Sequence, residues 1–135
     1  MRNLKRLTSL AMSATLALSI SVPTFAAVGD TGFSDVDADS WYAEAAVYCR
    51  DNGLMSGTSA TTFSPNAAVT RGQAVTFLYR AAGAPTVERD HLFEDVAPEA
   101  YYADAVQWAV AEKITNGTGN TTFSPAADCT RGQIV

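Results

Sequence analysis

The sequence predicts a mainly α-helical protein assembled from tandem helix-loop-helix repeats. One observation dominates: laid on itself at an offset of 60, the chain matches residues 33–75 to 93–135 without a gap, and 19 of those 43 positions are identical. Agreement at that level is not chance. A period of this size means a supersecondary unit that cannot bury its own apolar face and must stack on a neighbour. Helical apolar spacing within each unit and glycine stops after both helical stretches of the first unit are the second and third observations.

The first residues read as an export leader. Arg2, Lys5 and Arg6 form a positive start, residues 7–22 are uncharged and mostly apolar, and Pro23-Thr24-Phe25-Ala26 places small residues at the cleavage positions. The expected divisions are a leader over 1–26, a first repeat over 27–83, a connector over 84–92 and a second, C-terminally shortened repeat over 93–135. An anchor crossing the membrane would need roughly 20 apolar residues without a breaker, and this run stops at Pro23. After the leader, six Arg or Lys face 14 Asp or Glu, a formal net charge of −8. Such a field repels nucleic acid and anionic membranes, so neither is an expected partner. An anionic ligand would have to be held by a local cluster.

In the first unit, Asp39 or Ser40 is the expected cap of a helix reaching to about Asn52, with Gly53 as a left-handed stop. Trp41, Ala45, Tyr48 and Cys49 share a helical stripe, matched by Tyr101, Ala105, Trp108 and Ala109, and are expected to face the core. Residues 54–69 are rich in Gly, Ser, Thr, Asn and Pro and read as a loop, with Phe63 and Phe123 as its plugs into the core. The second helix opens at Thr70 and runs to about Ala82, closed by Gly83 and Pro85, with Val75, Phe77, Leu78, Ala81 and Ala82 on its buried side. Thr70 followed by Gln73 is a capping box, each side chain meeting the other's orphan backbone donor. The second unit ends five residues past Thr130, too short for a stable helix. The sequence is thus a fragment of a longer chain or a shortened protein.

Cys49 and Cys129 occupy non-equivalent repeat positions. They read as small core residues or as a disulfide allowed by an oxidising compartment. Asp35, Asp37 and Asp39 alternate as a calcium loop would, but Ser40 and Ala46 stand where that loop needs Gly and Glu, so no metal is expected. The lone His91 lies in the connector without a triad or metal partner. Neither catalysis nor a cofactor is expected.

Phe33-Ser34-Asp35-Val36, then the aromatic pair Trp41-Tyr42, then Gly57-Thr58, then Thr62-Phe63-Ser64-Pro65, then Val69-Thr70-Arg71-Gly72-Gln73 strongly resembles the S-layer homology repeat. The family's Thr-Arg-Ala-Glu hallmark stands here as Thr70-Arg71-Gly72-Gln73 and as Thr130-Arg131-Gly132-Gln133. The resemblance covers nearly all of the chain after the leader. It implies a secreted module at the cell wall and S-layer that binds secondary cell-wall polysaccharide, often pyruvylated, or another peptidoglycan-associated polymer. It also implies three repeats about a pseudo-threefold axis with ligand grooves between neighbours, of which this sequence supplies one complete unit and most of another. Gln in place of the acid keeps the cap and drops a negative charge. Gly in place of Ala weakens the helix by up to about 1 kcal/mol and would let a ligand approach the backbone.

Independently of the family, Arg71 and Arg131 sit where a helix's first turn offers unpaired N–H groups and partial positive charge. A guanidinium there can grip a carboxylate through two hydrogen bonds. Gly72, Gln73, Gly132 and Gln133 share those turns; Gly57 and Thr58 would contact the sugar from the loop, and Trp41 would stack on it if exposed. The alternative for Arg71 is a structural salt bridge, to Asp35 or to a carboxylate of the neighbouring unit. Asp35 and Asp95 either cap the turn into their unit's first helix or touch the ligand. Three functions follow: a non-catalytic wall anchor, the leading piece of a longer exported polysaccharide or peptidoglycan hydrolase, and a structural surface protein that self-associates.

Overall fold

The computed structural model describes residues 29–88, 90 and 93–134; the expected leader and His91 lie outside them. Among the described residues there are three α-helices, α1 (Ala43–Asp51), α2 (Arg71–Ala81) and α3 (Ala103–Ala111), and one 3-10 turn, Arg131–Gln133. The only extended pairing among them is an isolated antiparallel bridge between Thr70 and Asp128. The protein is mainly α-helical, as the repeat pattern predicts.

Helix α1 begins later than expected. Ser40 N–H donates to the Asp37 carbonyl, so the residues proposed as caps are spent in a turn of their own. Tyr42 is the N-cap and contributes no side-chain bond. The helix ends where it should, with Gly53 at φ +67°. Its counterpart after α3 is Lys113 at φ +62°, an L-residue held where glycine is favoured. Helix α2 follows the sequence closely: Gln73 N–H donates to Thr70 Oγ1 at 3.3 Å and Thr70 N–H to Gln73 Oε1 at 2.9 Å.

The cores show how the units are joined. One cluster gathers Phe33, Val36, Ala43 and Ala46, with Tyr42 and Phe63 against it. The larger one gathers Phe93, Ala105, Val106, Ala109 and Phe123 with Val75 of α2, and Tyr79 and Trp108 pack on it with rings 5.8 Å apart. Thus α2, the second helix of the first unit, completes the core of the second. This changes two expectations. The buried face of α2 is Gly72, Ala74, Val75 and Thr76, while Leu78, Ala81 and Ala82 are exposed and Phe77 is half-buried. The stripe on α1 also fails: Trp41, Ala45 and Tyr48 are exposed and the helix buries Ala43 and Ala46 instead. On α3 the equivalent Ala105 and Ala109 are buried because α2 lies over them. Nothing described lies over the same face of α1.

Candidate functional site

The Thr70-Arg71-Gly72-Gln73 turn enters the loop of the second unit. Arg71 N–H donates to the Ala127 carbonyl at 2.8 Å, Gly72 N–H to the Pro125 carbonyl at 2.9 Å, and Cys129 N–H returns a bond to the Val69 carbonyl at 2.7 Å. The first-turn donors expected to face an anion are therefore taken, by carbonyls of the second unit and, for Gln73, by Thr70 Oγ1. What the site offers is the guanidinium. Arg71 Nε donates to the Phe123 carbonyl at 2.9 Å, an Nη donates to Thr115 Oγ1 at 3.5 Å, and the cation lies 4.8 Å from the centroid of the Phe123 ring. It is half-buried and forms no ion pair with a described carboxylate, so the structural salt bridge is not its role.

Gly72 is shaped by this junction. A Cβ there would lie 3.0 Å from the Tyr102 ring and 3.2 Å from the Pro125 carbonyl. The close approach it permits is between the two units. A Cβ built at Gly132, its repeat twin, would meet nothing within 4 Å. Thr130, Gly132 and Gln133 are exposed, and Thr130 N–H donates to Gln133 Oε1 at 2.9 Å, repeating half of the capping box; Arg131 opens that turn.

Asp35 and Asp95 are not helix caps. Asp35 accepts from Phe63 N–H at 2.8 Å and Ser64 N–H at 2.7 Å, and Asp95 accepts from Phe123 and Ser124 at the same distances. Each carboxylate ties its unit's opening to the loop and holds Ser64 and Ser124 at φ +60° and +59°. The Phe63 N–H bond, with a smaller share from Ser64, holds the Asp35 carboxyl below its ordinary pKa.

Gly57 at φ +77° is required by the turn, because a Cβ would lie 2.4 Å from the Thr62 carbonyl. Thr58 Oγ1 pairs with Ser64 Oγ at 2.5 Å. Gly57, Thr58 and Gln73 line one hollow of about 570 Å³, whose walls include Phe63, Phe77, Arg80 and Tyr101. Arg71, Asp35, Asp95 and Trp41 do not line it. Trp41 is 92 % exposed and meets Tyr42 edge-on at 5.5 Å. Cys49 and Cys129 are free and half-buried. Arg80 escapes a motif reading because it belongs to no matched motif; Tyr101, expected on the buried stripe as the counterpart of Trp41, is exposed and walls this hollow instead.

Comparison with known proteins agrees with this architecture. The family model of the S-layer homology domain matches residues 32–75 and 92–135. An endoglucanase from Bacillus sp. (strain KSM-635) is 33% identical over 140 aligned residues, covering 99% of this chain. A surface-layer 125 kDa protein from Lysinibacillus sphaericus is 35% identical over 78% of it, and a cell surface protein from Thermoanaerobacter kivui 28% identical over 100%. The chain spans only 15%, 9% and 18% of those three proteins. Two matched repeats, each with the aspartate tie and the Thr-Arg-Gly-Gln turn in register, place the chain in the S-layer homology domain family.

Proposed function

We propose that this chain anchors an exported protein to the bacterial cell surface by binding secondary cell-wall polysaccharide at the junction of its two repeats, without catalysing a reaction. One observation carries the reading: the half-buried Arg71 guanidinium has no acidic partner among the described residues, in a chain whose acids outnumber its bases. Desolvating a cation is unfavourable unless something compensates it. Here the Phe123 ring and two oxygen acceptors do so in part, using two of the five N–H donors an arginine carries. The remaining donors suit a carboxylate on a polymer, such as a pyruvyl ketal or a uronic acid. Thr115, whose Oγ1 accepts from Arg71 and from Gly117 N–H, would meet the sugar beside them. The aspartates are spent inside the fold and are not part of the proposed contact.

The test is co-sedimentation of the purified chain with cell-wall sacculi before and after acid extraction of their polymer. Binding is expected only before extraction, weakening as salt is added and about tenfold or more in Arg71→Lys, which loses the bidentate fork while keeping the charge. Equal retention on stripped sacculi would exclude the polymer as ligand. A second reading, that the chain is the anchoring part of a longer exported hydrolase, is favoured by the endoglucanase of which it spans 15%.

A further inference from the structure

The loop of the second unit carries a reactive pair that the loop of the first lacks. Gly117 stands at φ +82°, and a Cβ there would lie 2.6 Å from the Phe93 ring and 2.6 Å from the Thr122 carbonyl, so the turn demands glycine. The first unit keeps that glycine as Gly57 but precedes it with Ser56, so the turn does not need the amide of Asn116. Asn116 is exposed in irregular backbone, and no described residue hydrogen-bonds its side chain. The next nitrogen along is held by Thr115 Oγ1 alone, which accepts from Gly117 N–H at 3.3 Å. The chain's other Asn-Gly pair, Asn52-Gly53, is held on both sides. Asn52, the C-cap of α1, donates from Nδ2 to the Tyr48 carbonyl at 2.8 Å, and Gly53 N–H donates to the Arg50 carbonyl at 3.0 Å.

We infer that Asn116 is a self-modification site, where the Gly117 backbone nitrogen converts the side-chain amide to a carboxylate. The nitrogen bonds to Asn116 Cγ, the Cγ–Nδ2 bond breaks, and ammonia leaves carrying the proton that the Gly117 nitrogen gives up. Solvent water then opens the five-membered imide. Cleavage at Cγ gives aspartate, and cleavage at the main-chain carbonyl gives isoaspartate; nothing is oxidised or reduced. Glycine suits the step because it has no side chain to shield the attacking nitrogen. The product carboxylate follows Thr115, whose Oγ1 accepts from an Arg71 Nη at 3.5 Å. Consecutive Cα atoms are about 3.8 Å apart, so the new charge arises at a distance from the guanidinium comparable with the screening length of about 8 Å. It repels an acidic polymer approaching Arg71, and the affinity of the chain for that polymer falls as the chain ages. This consequence, unlike the modification itself, rests on the binding proposed at Arg71.

Peptide mass mapping of the folded chain, held at neutral and at mildly alkaline pH, tests the modification. The peptide containing Asn116 should shift progressively to the acid, as aspartate and isoaspartate, and faster at the higher pH. The peptide containing Asn52 should stay largely amide. In urea, where the bonds at Asn52 are lost, the two should react at similar rates. Asn116→Ser, the residue the first unit has at this position, should keep the helix content and abolish the shift. Asn52 converting as fast as Asn116 in the folded chain overturns the inference, and so does an Asn116 that stays amide there while the unfolded chain reacts. The consequence is read by co-sedimentation of Asn116→Asp with unextracted sacculi. Binding about twofold weaker than wild type is expected at low salt, the effect of one like charge about 8 Å away in water, and the difference should vanish at high salt. Equal binding at low salt overturns the consequence. A wild-type chain that does not bind sacculi overturns the polymer reading and this consequence together, and the mass map still decides the modification.

Discussion

Removing the Phe123 ring should destabilise the protein about twice as much as removing its repeat twin Phe63, although the two residues close the same motif. Phe123 is fully buried, lies 5.7 Å from the Phe93 ring and carries Arg71 on its outer face at 4.8 Å. Its replacement by alanine belongs with core truncations, about 3–5 kcal/mol, with about 0.5–1 kcal/mol more for the lost cation contact. Phe63 packs 5.3 Å from Phe33 but keeps part of its surface in water and has no cation over it. About 2–3 kcal/mol is expected there, since the exposed part contributes little burial. With a urea slope of about 1–3 kcal/mol per molar for a small domain, the two midpoints should differ by roughly 1 M. Urea unfolding followed by circular dichroism in dilute solution reads this directly. Phe123→Leu, which leaves most of the volume, keeps the comparison usable if the alanine variant does not fold. Equal midpoint shifts for Phe63 and Phe123 would refute the asymmetric cover on which the account of the two units depends.

Other expectations follow from single positions. Gly72→Ala gains helix propensity but pushes a methyl group against Tyr102 and a backbone carbonyl, so thermal melting should show a net loss of about 1 kcal/mol. Lys113→Gly relieves a left-handed residue after α3 and should raise stability by about 0.5 kcal/mol, the greater freedom of glycine in the unfolded chain offsetting the rest. Asp35 has a depressed folded pKa, so the unfolded chain binds its proton first as pH falls. Its stabilisation is complete above the ordinary carboxyl value of about 3.9 and is lost as pH drops through the lower folded value. Asp35→Asn should accordingly be less stable than wild type at neutral pH, and the gap should close in acid unfolding curves.

What was legible in the sequence was local. The capping box at Thr70 and Gln73, the stops at Gly53 and Gly83 and the extent of α2 all depend on neighbours within a few residues, and they appear where the sequence places them. What was not legible depended on which unit covers which. Periodicity put Trp41, Ala45 and Tyr48 on a buried stripe, yet burial of a helix face needs a partner, and α2 turns to α3. The aspartates were misplaced for a similar reason. Asp35 bonds to a loop 28 residues onward, and no local pattern distinguishes that from a cap.

The Thr-Arg-Gly-Gln turn illustrates how a motif can serve two ends without conflict. In the first unit each of its four residues has a structural use: Thr70 and Gln73 close the helix start, Gly72 admits the neighbouring ring, and Arg71 holds the loop carbonyl. A structural use does not exhaust an arginine, because a planar fork bonded along one edge still presents the other. The same guanidinium can fix the junction and remain the strongest anion-binding group there. A polymer carboxylate would then meet a cation already oriented by protein, and little side-chain entropy would remain to be lost on binding. The expected signature is that substitutions at Arg71 weaken both the junction and polymer binding. Substitutions at Gly132 should touch neither, because a side chain added there would meet no described atom within 4 Å.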